Sequence, residues 1–571
     1  RLKDRAAPLA TTWNDKLRAK AVALVAEAKQ HVQSNHHDLA RREVRLALAA
    51  WPETVEAGAL AAEIQLKHPE IVVGVSALAP GNLPTTSAGA FQAWETRRVS
   101  RLLARSIVEV ERIGPQGPVY TSPLAKITRG DNGRRVFLDV NPEIRWSSPG
   151  GNSSERPLSA AEFAAAIIER GDRASPLYRP EWRDLVANLV VDEPRKLRIE
   201  LKHRAAHFEH LLNVPIAGDD AWTVARPSSV SLGPYRIEST DDKETRFEAV
   251  DGYFAAAPKQ PKQIVERLYP DVASALAALR RGEITVVDRI GPWEAAALSG
   301  SEKLVVEPCG PPSLHLLVPN FRRPAMQSAL LRRALAHAID RSSILVDQLS
   351  RGRLPAGCEL ADRIFLNPAE YGAASGSLSL EVRYDGSAAK LLASLAQSES
   401  VAAAGTDGDR SAPPAGGLSL AYPPDQTARF ASRAIEQQVR AAGIPISLKE
   451  LTPHELAAGT VDADLIYVAW TPIEPLADLP GLVGSHGIGG DSGPLVERLI
   501  RDALAAEPDQ ATQRQGRLAQ AIRDEMLVIP LWRLTNVVAY DRSLSGVGNQ
   551  PVSLYQNVEH WQFSAPKGSE R

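Results

Sequence analysis

Serine, lysine and histidine residues at short spacings are the first places where this chain could do chemistry. Ser122 and Lys126 lie one position further apart than the residues of the Ser-x-x-Lys pattern of penicillin-binding enzymes. The adjacent His36 and His37 would point in different directions on a helix, so they do not predict a shared metal site. These patterns do not predict catalysis.

A second histidine group has the spacing of a metal site. His203, His207 and His210 would share a face only if their segment were one helix. The segment instead follows LRIELKH, which is typical of a strand. The glycines between Gly484 and Gly493 lack a following Lys-Ser/Thr pair and a preceding strand, so they do not predict a phosphate-binding loop. The sequence therefore predicts a protein that is not an enzyme, with no metal and no cofactor.

The cysteine content leaves two interpretations open. Cys309 and Cys358 are the two cysteines of the chain. They fit either an exported protein with one possible disulfide or a protein of the cytosol with two buried thiols.

Length and charge narrow the class of protein. The chain of 571 residues is long enough for two to four domains, and its net charge of −2 gives no reason to expect a nucleic-acid partner. No run approaches the roughly 20 apolar residues of a membrane span. The chain begins without a charged and then apolar segment, which leaves room for a leader or an anchor outside it.

The segment 313–349 predicts one strand, a polar turn and two helices. Leu314 to Val318 is largely apolar and suits a strand that is covered on both faces and ends at Pro319. The first helix should bury an apolar stripe and leave Arg332 and Arg333 outside it. Asp340 is placed to cap the second helix.

Residues 13–67 predict a separate helical unit. The spacing of Ala40, Val44, Ala47 and Pro52 resembles the second half of a tetratricopeptide repeat. One and a half repeats are fewer than the three or so that bury a continuous core. We therefore expect a helical hairpin that packs on the main body or is what remains of a longer array.

Short blocks between residues 70 and 560 follow one another in an order that resembles the family 5 extracellular solute-binding proteins, which include the peptide-binding components of ABC importers. The blocks match the family's strand ending in Asn, its Trp-containing strand, its Gly-Pro-Tyr strand and its helix ending in Arg-x-Gly-Glu. The matching residues are Asn320, Pro324, Arg332, Ala334, Ala338, Ile339, Asp340 and Arg341, then Trp146, Pro157, Leu158, Ala161, Glu162 and Phe163, then Gly233, Pro234, Tyr235 and Ile237, and finally Tyr253, Phe254, Pro261, Ile264, Leu276, Leu279, Gly282, Glu283 and Asp288.

The resemblance implies an α/β fold, two-lobed like the periplasmic binding proteins, with hinge crossover strands and a small all-α unit at the N-terminus. We expect the hairpin at 1–69, lobe 1 at 70–311 with an inserted subdomain at about 113–225, lobe 2 at 312–530, and a return to lobe 1 at 531–571. Residues 397–418 are rich in Ala, Gly, Ser and Pro and predict a disordered insertion.

The resemblance also implies a ligand site between the lobes. The residues that fall where family ligand contacts lie are Asn82, Ser87, Gln92, Trp293, Asn320, Trp470 and Glu474. Core burial is the alternative interpretation of Trp293 and Trp470. Peptide-binding relatives place an aspartate shortly after the Trp that corresponds to Trp470, where it pairs with the ligand's amino group. Here either Glu474 replaces that aspartate or the ligand lacks the amine, because an uncompensated buried ammonium is costly.

The implied function is the substrate-binding component of an ABC importer, which captures a peptide-like or other small solute and delivers it to a membrane permease. Such a protein is periplasmic or otherwise extracytoplasmic. The alternative is a sensor or interaction protein that does not transport and whose helical hairpin recruits a protein partner.

Overall fold

The structure is a computed structural model, and it describes residues 2–79, 93–114, 117–146, 156–175, 178–205, 208–216, 232–361, 364, 383–404, 417–459 and 461–563. No helix within these ranges is long and apolar enough to cross a membrane.

The helices are numbered in chain order. They are α1 (Leu2–Gln33), α2 (His37–Ala50), α3 (Val55–Lys67), α4 (Ala93–Leu103), α5 (Ala160–Gly171), α6 (Pro180–Leu185), α7 (Val272–Arg280), α8 (Pro292–Leu298), α9 (Pro324–Gln327), α10 (Ala329–Ala338), α11 (Arg341–Ser343), α12 (Gly386–Ala404), α13 (Gln426–Ala441), α14 (Pro453–Ala458), α15 (Pro475–Asp478), α16 (Pro480–Val483), α17 (Pro494–Leu504) and α18 (Ala511–Asp524). A π-helical turn, Ile344–Leu349, continues α11, and short 3₁₀ turns cover Asp131–Gly133, Glu209–Leu212 and Val558–His560.

The strands are numbered in the same way. They are β1 (Glu70–Val75), β2 (Glu109–Gly114), β3 (Gly117–Thr121), β4 (Ala125–Gly130), β5 (Arg135–Val140), β6 (Val186–Glu193), β7 (Lys196–Leu201), β8 (Tyr235–Thr240), β9 (Glu244–Ala249), β10 (Gln263–Leu268), β11 (Val286–Ile290), β12 (Leu304–Pro308), β13 (Ser313–Pro319), β14 (Cys358–Leu360), β15 (Leu418–Tyr422), β16 (Ile446–Glu450), β17 (Leu465–Trp470), β18 (Ile529–Leu534), β19 (Val537–Asp541), β20 (Leu544–Ser545) and β21 (Gln562–Phe563).

The first large sheet has seven strands in the order β12-β19-β11-β1-β10-β9-β8. Strand β1 lies parallel to β10 and β11, and all six of its residues are buried, as expected for a parallel strand covered on both faces. Helix α4 packs one face against this sheet. That face includes Arg98, whose Nε lies 2.7 Å from Glu266 Oε1 and whose Nη1 lies 2.7 Å from Asp288 Oδ2. The charge of Arg98 is therefore balanced inside the core.

The second large sheet has six strands in the order β14-β18-β13-β17-β15-β16. All seven residues of β13 are buried, which confirms the prediction of a strand covered on both faces. The Asp340 carboxylate accepts a hydrogen bond from Ser343 N, so the predicted cap of the following helix is also confirmed. The two large sheets agree with the predicted mixed α/β class.

The chain passes between the two sheets at two places. Strands β12 and β13 are consecutive but belong to different sheets, and so are β18 and β19. Side chains join the two passages, because Ser313 Oγ donates to Asn536 Oδ1 at 3.0 Å and Asn536 Nδ2 donates to Pro311 O at 2.7 Å. Ser313 also shares a hydrogen bond of 2.9 Å with the Thr471 hydroxyl. These buried groups form a polar joint at the crossovers.

A four-stranded antiparallel sheet, β4-β5-β7-β6, lies within the predicted inserted subdomain. Helix α5 covers it and begins at a capping box, in which Ser159 and Glu162 bond each other's backbone amides. The residue bounds of the lobes and of this subdomain stay predictions.

The N-terminal unit is a helical hairpin of α1 and α2 with α3 packed beside it. Small buried residues, Ala21, Ala40 and Ala47 among them, let the helices approach closely. An ion pair and a hydrogen bond attach the unit to the first sheet. Arg41 Nη1 lies 3.5 Å from Glu70 Oε2, and Gln263 Nε2 donates to Asp38 Oδ2 at 3.3 Å. The hairpin therefore packs on the main body, one of the two arrangements expected.

Two expectations need correction. Arg332 is buried rather than outside the helix stripe, because its guanidinium satisfies the carbonyls of Met326, Gln327 and Glu525. Helix α12 continues through residue 404, so the first part of the predicted disordered insertion is helical, and residues 405–416 lie outside the described ranges. Of the two interpretations left open for the cysteines, the structure agrees with two buried thiols, since Cys309 and Cys358 are free and lie in the cores of different large sheets.

Candidate functional site

Glu474 lies at a contact between distant parts of the chain. It follows β17 of the second sheet and directly precedes α15. Its carboxylate accepts a hydrogen bond from the hydroxyl of Tyr120 on β3, and His210 Nδ1 lies 3.7 Å from its other oxygen. The Glu474 side chain is 13% exposed. One carboxylate thus joins the second sheet to the region that contains the β2–β3 hairpin and the 3₁₀ turn of His210.

The surroundings change the acidity of this carboxyl. Burial raises the pKa of Glu474 to about 7, and the negative charges of Asp478 and Glu209 act in the same direction, while the Tyr120 hydrogen bond opposes the rise. Burial, with the nearby Glu474, also raises the pKa of Tyr120, so its hydroxyl keeps its proton and stays a donor. Glu474 therefore changes charge near neutral pH.

Two further polar contacts cross between the same regions. Arg97 on α4 donates from Nη2 to the carbonyl of Thr471 at 2.7 Å. Arg204 Nη2, after β7, lies 3.5 Å from Glu507 Oε2. The Asp478 carboxylate accepts from Ile473 N at 2.9 Å, which fixes the turn that carries Glu474. The 471–478 segment is thus held from both sides.

The two tryptophans of the predicted site have different environments. Trp470 is buried in the core that also contains Leu314 and Leu476. Trp293 is half-buried on α8 and packs against the core that contains Trp532 and Cys358. Core packing accounts for Trp470, whereas part of the Trp293 ring remains accessible.

Asn320 lies away from the other predicted residues. Strand β13 pairs antiparallel with β17, so Leu314 is opposite Trp470 and Asn320 is about 20 Å further along at roughly 3.3 Å per residue. The Asn320 amide donates to the carbonyls of Val461 and Ala463. The structure does not bring Asn320 together with Glu474. The predicted contacts Asn82, Ser87 and Gln92 lie outside the described residues.

Sequence reasoning missed Tyr120, Arg97 and the contact of His210. Tyr120 stands in a short strand and carries no local signal of function. His210 entered the sequence argument only as a metal ligand, and within the described residues no group of three His, Cys, Asp or Glu side chains could hold a metal ion. Arginines in α4 carried a usable signal, since Arg98 falls on the apolar stripe of Trp94 and Leu102 and must find buried acids.

Comparison with known proteins gives a family match. The family model "Bacterial extracellular solute-binding proteins, family 5 Middle" matches residues 132–489. No curated protein sequence matches the chain significantly.

Solved structures show the same fold. NikZ from Campylobacter jejuni in complex with Ni(L-His) is 15% identical with a TM-score of 0.69, and the match covers 86% of this chain and 99% of NikZ. The oligopeptide-binding protein AppA from Bacillus subtilis, in complex with a nonapeptide, is 16% identical with a TM-score of 0.69, covering 87% and 99%. AgaA from A. tumefaciens R10, in complex with agropinic acid, is 15% identical with a TM-score of 0.66, covering 87% and 99%.

Proposed function

Because the chain belongs to family 5 of the bacterial extracellular solute-binding proteins, we propose that it captures a small solute between the parts that carry its two large sheets and delivers it to an ABC permease. The structural neighbours bind a nickel–histidine complex, a nonapeptide and agropinic acid. Ligand chemistry therefore varies widely on this fold. The residues of this chain's own site therefore determine which ligand it binds.

The environment of Glu474 is the observation that carries the proposal on specificity. Its carboxylate is occupied by Tyr120 and stands beside His210. Because the pKa of Glu474 is raised to about 7, the carboxyl is partly neutral at physiological pH. A partly neutral, already hydrogen-bonded acid is a poor partner for a ligand ammonium group. We propose that the solute is not an ordinary oligopeptide recognised through its free amine.

A thermal-shift panel tests this function. The panel contains tri- and tetrapeptides, their N-acetylated forms, a nickel–histidine complex and sugar–amino acid conjugates. A solute at about 100 times its dissociation constant stabilises the protein by about 2.7 kcal/mol. We expect at least one solute without a free amine to raise the melting temperature. A sub-micromolar complex with an unmodified tripeptide that is lost in Glu474→Gln would contradict the proposed specificity.

One observation favours the second candidate function, recruitment of a protein partner. Val55 and Leu66 of α3 are 84% and 62% exposed. They are eleven residues apart and so lie on the same side of the helix. If no solute shifts the melting temperature, while the full chain holds a purified protein other than a permease and the Val55→Glu, Leu66→Glu variant does not, the interaction function is supported.

A further inference from the structure

Arg289 has a backbone conformation that its strand does not require. Its φ is +52°, and within the described residues it is the one non-glycine residue with positive φ inside a strand. The pairing of β11 with β19 slips between Val287 and Ile290, so Asp288 and Arg289 together oppose a single residue. Such bulges redirect side chains and are frequent beside functional sites.

The bulge sends two neighbouring charged side chains to different places. Asp288 points into the core, where it accepts hydrogen bonds from Trp94 Nε1 and Arg98 Nη1. The Arg289 side chain keeps 29% of its surface exposed. An outward-facing guanidinium is thus the product of the strained backbone.

The Arg289 guanidinium makes only weak contacts with the described residues. Its Nη2 lies 3.6 Å from Glu95 Oε1, and its Cζ lies 5.6 Å from the centroid of the Trp94 ring. At 3.6 Å the Glu95 contact is an ion pair without a hydrogen bond. Arg98, in contrast, donates to two carboxylates and a carbonyl. No hydrogen-bond acceptor for the Arg289 guanidinium is seen among the described residues, so its N–H donors are available to another acceptor.

Arg289 also lies where a ligand would be. It is at the carboxyl end of β11, which is parallel to β1, and ligands of open α/β sheets bind beside the carboxyl ends of parallel strands. The positive charge of Arg289 acts on a residue of the second sheet. Burial lowers the pKa of His315 on β13 to about 3, and the positive charge of Arg289 contributes to that fall. Arg289 therefore stands at a strand end of the kind where ligands of such sheets bind, and its charge acts on a residue of the second sheet.

We propose that the Arg289 guanidinium anchors a carboxylate of the captured solute, an inference that rests on the proposed solute-binding function. A planar carboxylate accepts two parallel N–H bonds from one guanidinium. The carboxyl groups of Glu95 and Asp425 both interact with the positive charge of Arg289. A singly charged carboxylate therefore suits the site better than a doubly charged phosphate. The guanidinium lies over the Trp94 ring, 5.6 Å from its centroid, where a cation–π attraction favours that position.

Paired probes and two variants test this inference by isothermal titration calorimetry. The probes are N-acetyl-alanyl-alanine and its C-terminal amide, gluconate and glucose, and every acid that the thermal-shift panel identifies with its own amide. We expect acids to bind and their neutral partners to bind roughly tenfold more weakly or worse. Arg289→Gln should lose that preference, and Arg289→Lys, which keeps the charge but not the fork, should keep part of it.

Arg281→Gln is the matched control, because it removes the same charge from an exposed arginine paired with Glu283. It should leave acid binding within about threefold. Acid binding that Arg289→Gln does not weaken overturns the inference, and so does equal binding of acids and amides. In both cases the solute-binding function stands. If no probe and no panel solute binds, the function and the inference both fail.

Discussion

Glu474 is largely buried, and burial makes the charge of its carboxyl sensitive to pH near neutrality. Burial raises the pKa of its carboxyl to about 7. In the unfolded chain the same carboxyl has its ordinary pKa of 4.5. Between these values the folded protein binds more protons at Glu474 than the unfolded chain does, so the contribution of Glu474 to stability falls as pH rises.

We predict that Glu474→Gln removes this loss of stability. The amide cannot ionise but can still accept a hydrogen bond from Tyr120. Relative to the unsubstituted protein, the variant should gain about 3 kcal/mol between about pH 5 and pH 8, at about 1.4 kcal/mol per pKa unit. Urea unfolding at both pH values measures the difference. The exposed Glu143→Gln is the control, and an equal effect of Glu474→Gln at both pH values would contradict the prediction.

Sequence reasoning at this scale succeeded where the determinants are local. Asp340 caps a helix three residues away, and residue type and spacing are enough to predict that. It could not predict the Tyr120–Glu474 contact, because 354 positions separate the two residues. Arg332 was placed outside because arginine is usually solvated, yet three carbonyls converge on it.

Among the elements, α2 and α3 are attached to the first sheet by a partly buried cluster with two histidines. The rings of His37 and His68 stack with centroids 4.8 Å apart, and Arg41 donates to the carbonyl of His68. Burial, followed by the positive charge of Arg41, lowers the pKa of both histidines from 6.5. The cluster therefore prefers both rings neutral.

We predict that mild acid loosens the N-terminal unit first. Below about pH 6.5 the unfolded unit takes up protons that the folded cluster resists, so its stability is present above that pH and falls as pH decreases. The protection factors of the amides in α2 and α3, which are exchange rates corrected for the intrinsic effect of pH, should fall between about pH 7.5 and pH 5 more than those in β1. The substitution His68→Gln should reduce the pH dependence, and an unchanged dependence would refute the idea.

The polar joint between the two sheets permits a separate prediction. Asn536→Ala removes the side-chain donor of the Pro311 carbonyl and leaves the Ser313 hydroxyl with Thr471 as its remaining side-chain partner. We expect a loss of about 1–3 kcal/mol in the free energy of unfolding. The exposed Asn188→Ala should cost less than about 0.5 kcal/mol in the same denaturant titration. A loss for Asn536→Ala as small as that of the control would mean that the joint does not stabilise the crossovers.

The sequence predicted β13 and the helices of the N-terminal unit, because their apolar periodicity is local. It missed the extent of α12. The alanines of the predicted disordered insertion favour helix at little entropic cost, and the helix runs into them from Gly386.

In the molecule as a whole, the two large sheets are joined in two ways. The chain crosses between them twice, and the side chains of Tyr120 and Arg97 add contacts with the 471–478 segment. A ligand that closes the protein must stabilise the closed arrangement more than the open one. Contacts of the protein with itself that favour the closed arrangement lower the free energy that the ligand has to supply.

We predict that Tyr120→Phe shifts the protein without ligand toward more open arrangements. The change removes the hydroxyl that Glu474 accepts from and leaves a buried carboxyl with one donor fewer. Small-angle X-ray scattering should show a larger radius of gyration than for the unsubstituted protein. The exposed Tyr384→Phe serves as control, and identical scattering curves for both variants would exclude a role for the Tyr120–Glu474 contact in closure.

The two free cysteines can serve as probes of local opening of the protein. Cys309 lies in the core of the first sheet and Cys358 in the core of the second. Burial raises the pKa of both thiols, so neither reacts with a thiol reagent until its surroundings open. The labelling rate of each cysteine, read by mass spectrometry of the native chain, therefore reports how often its own half of the molecule opens.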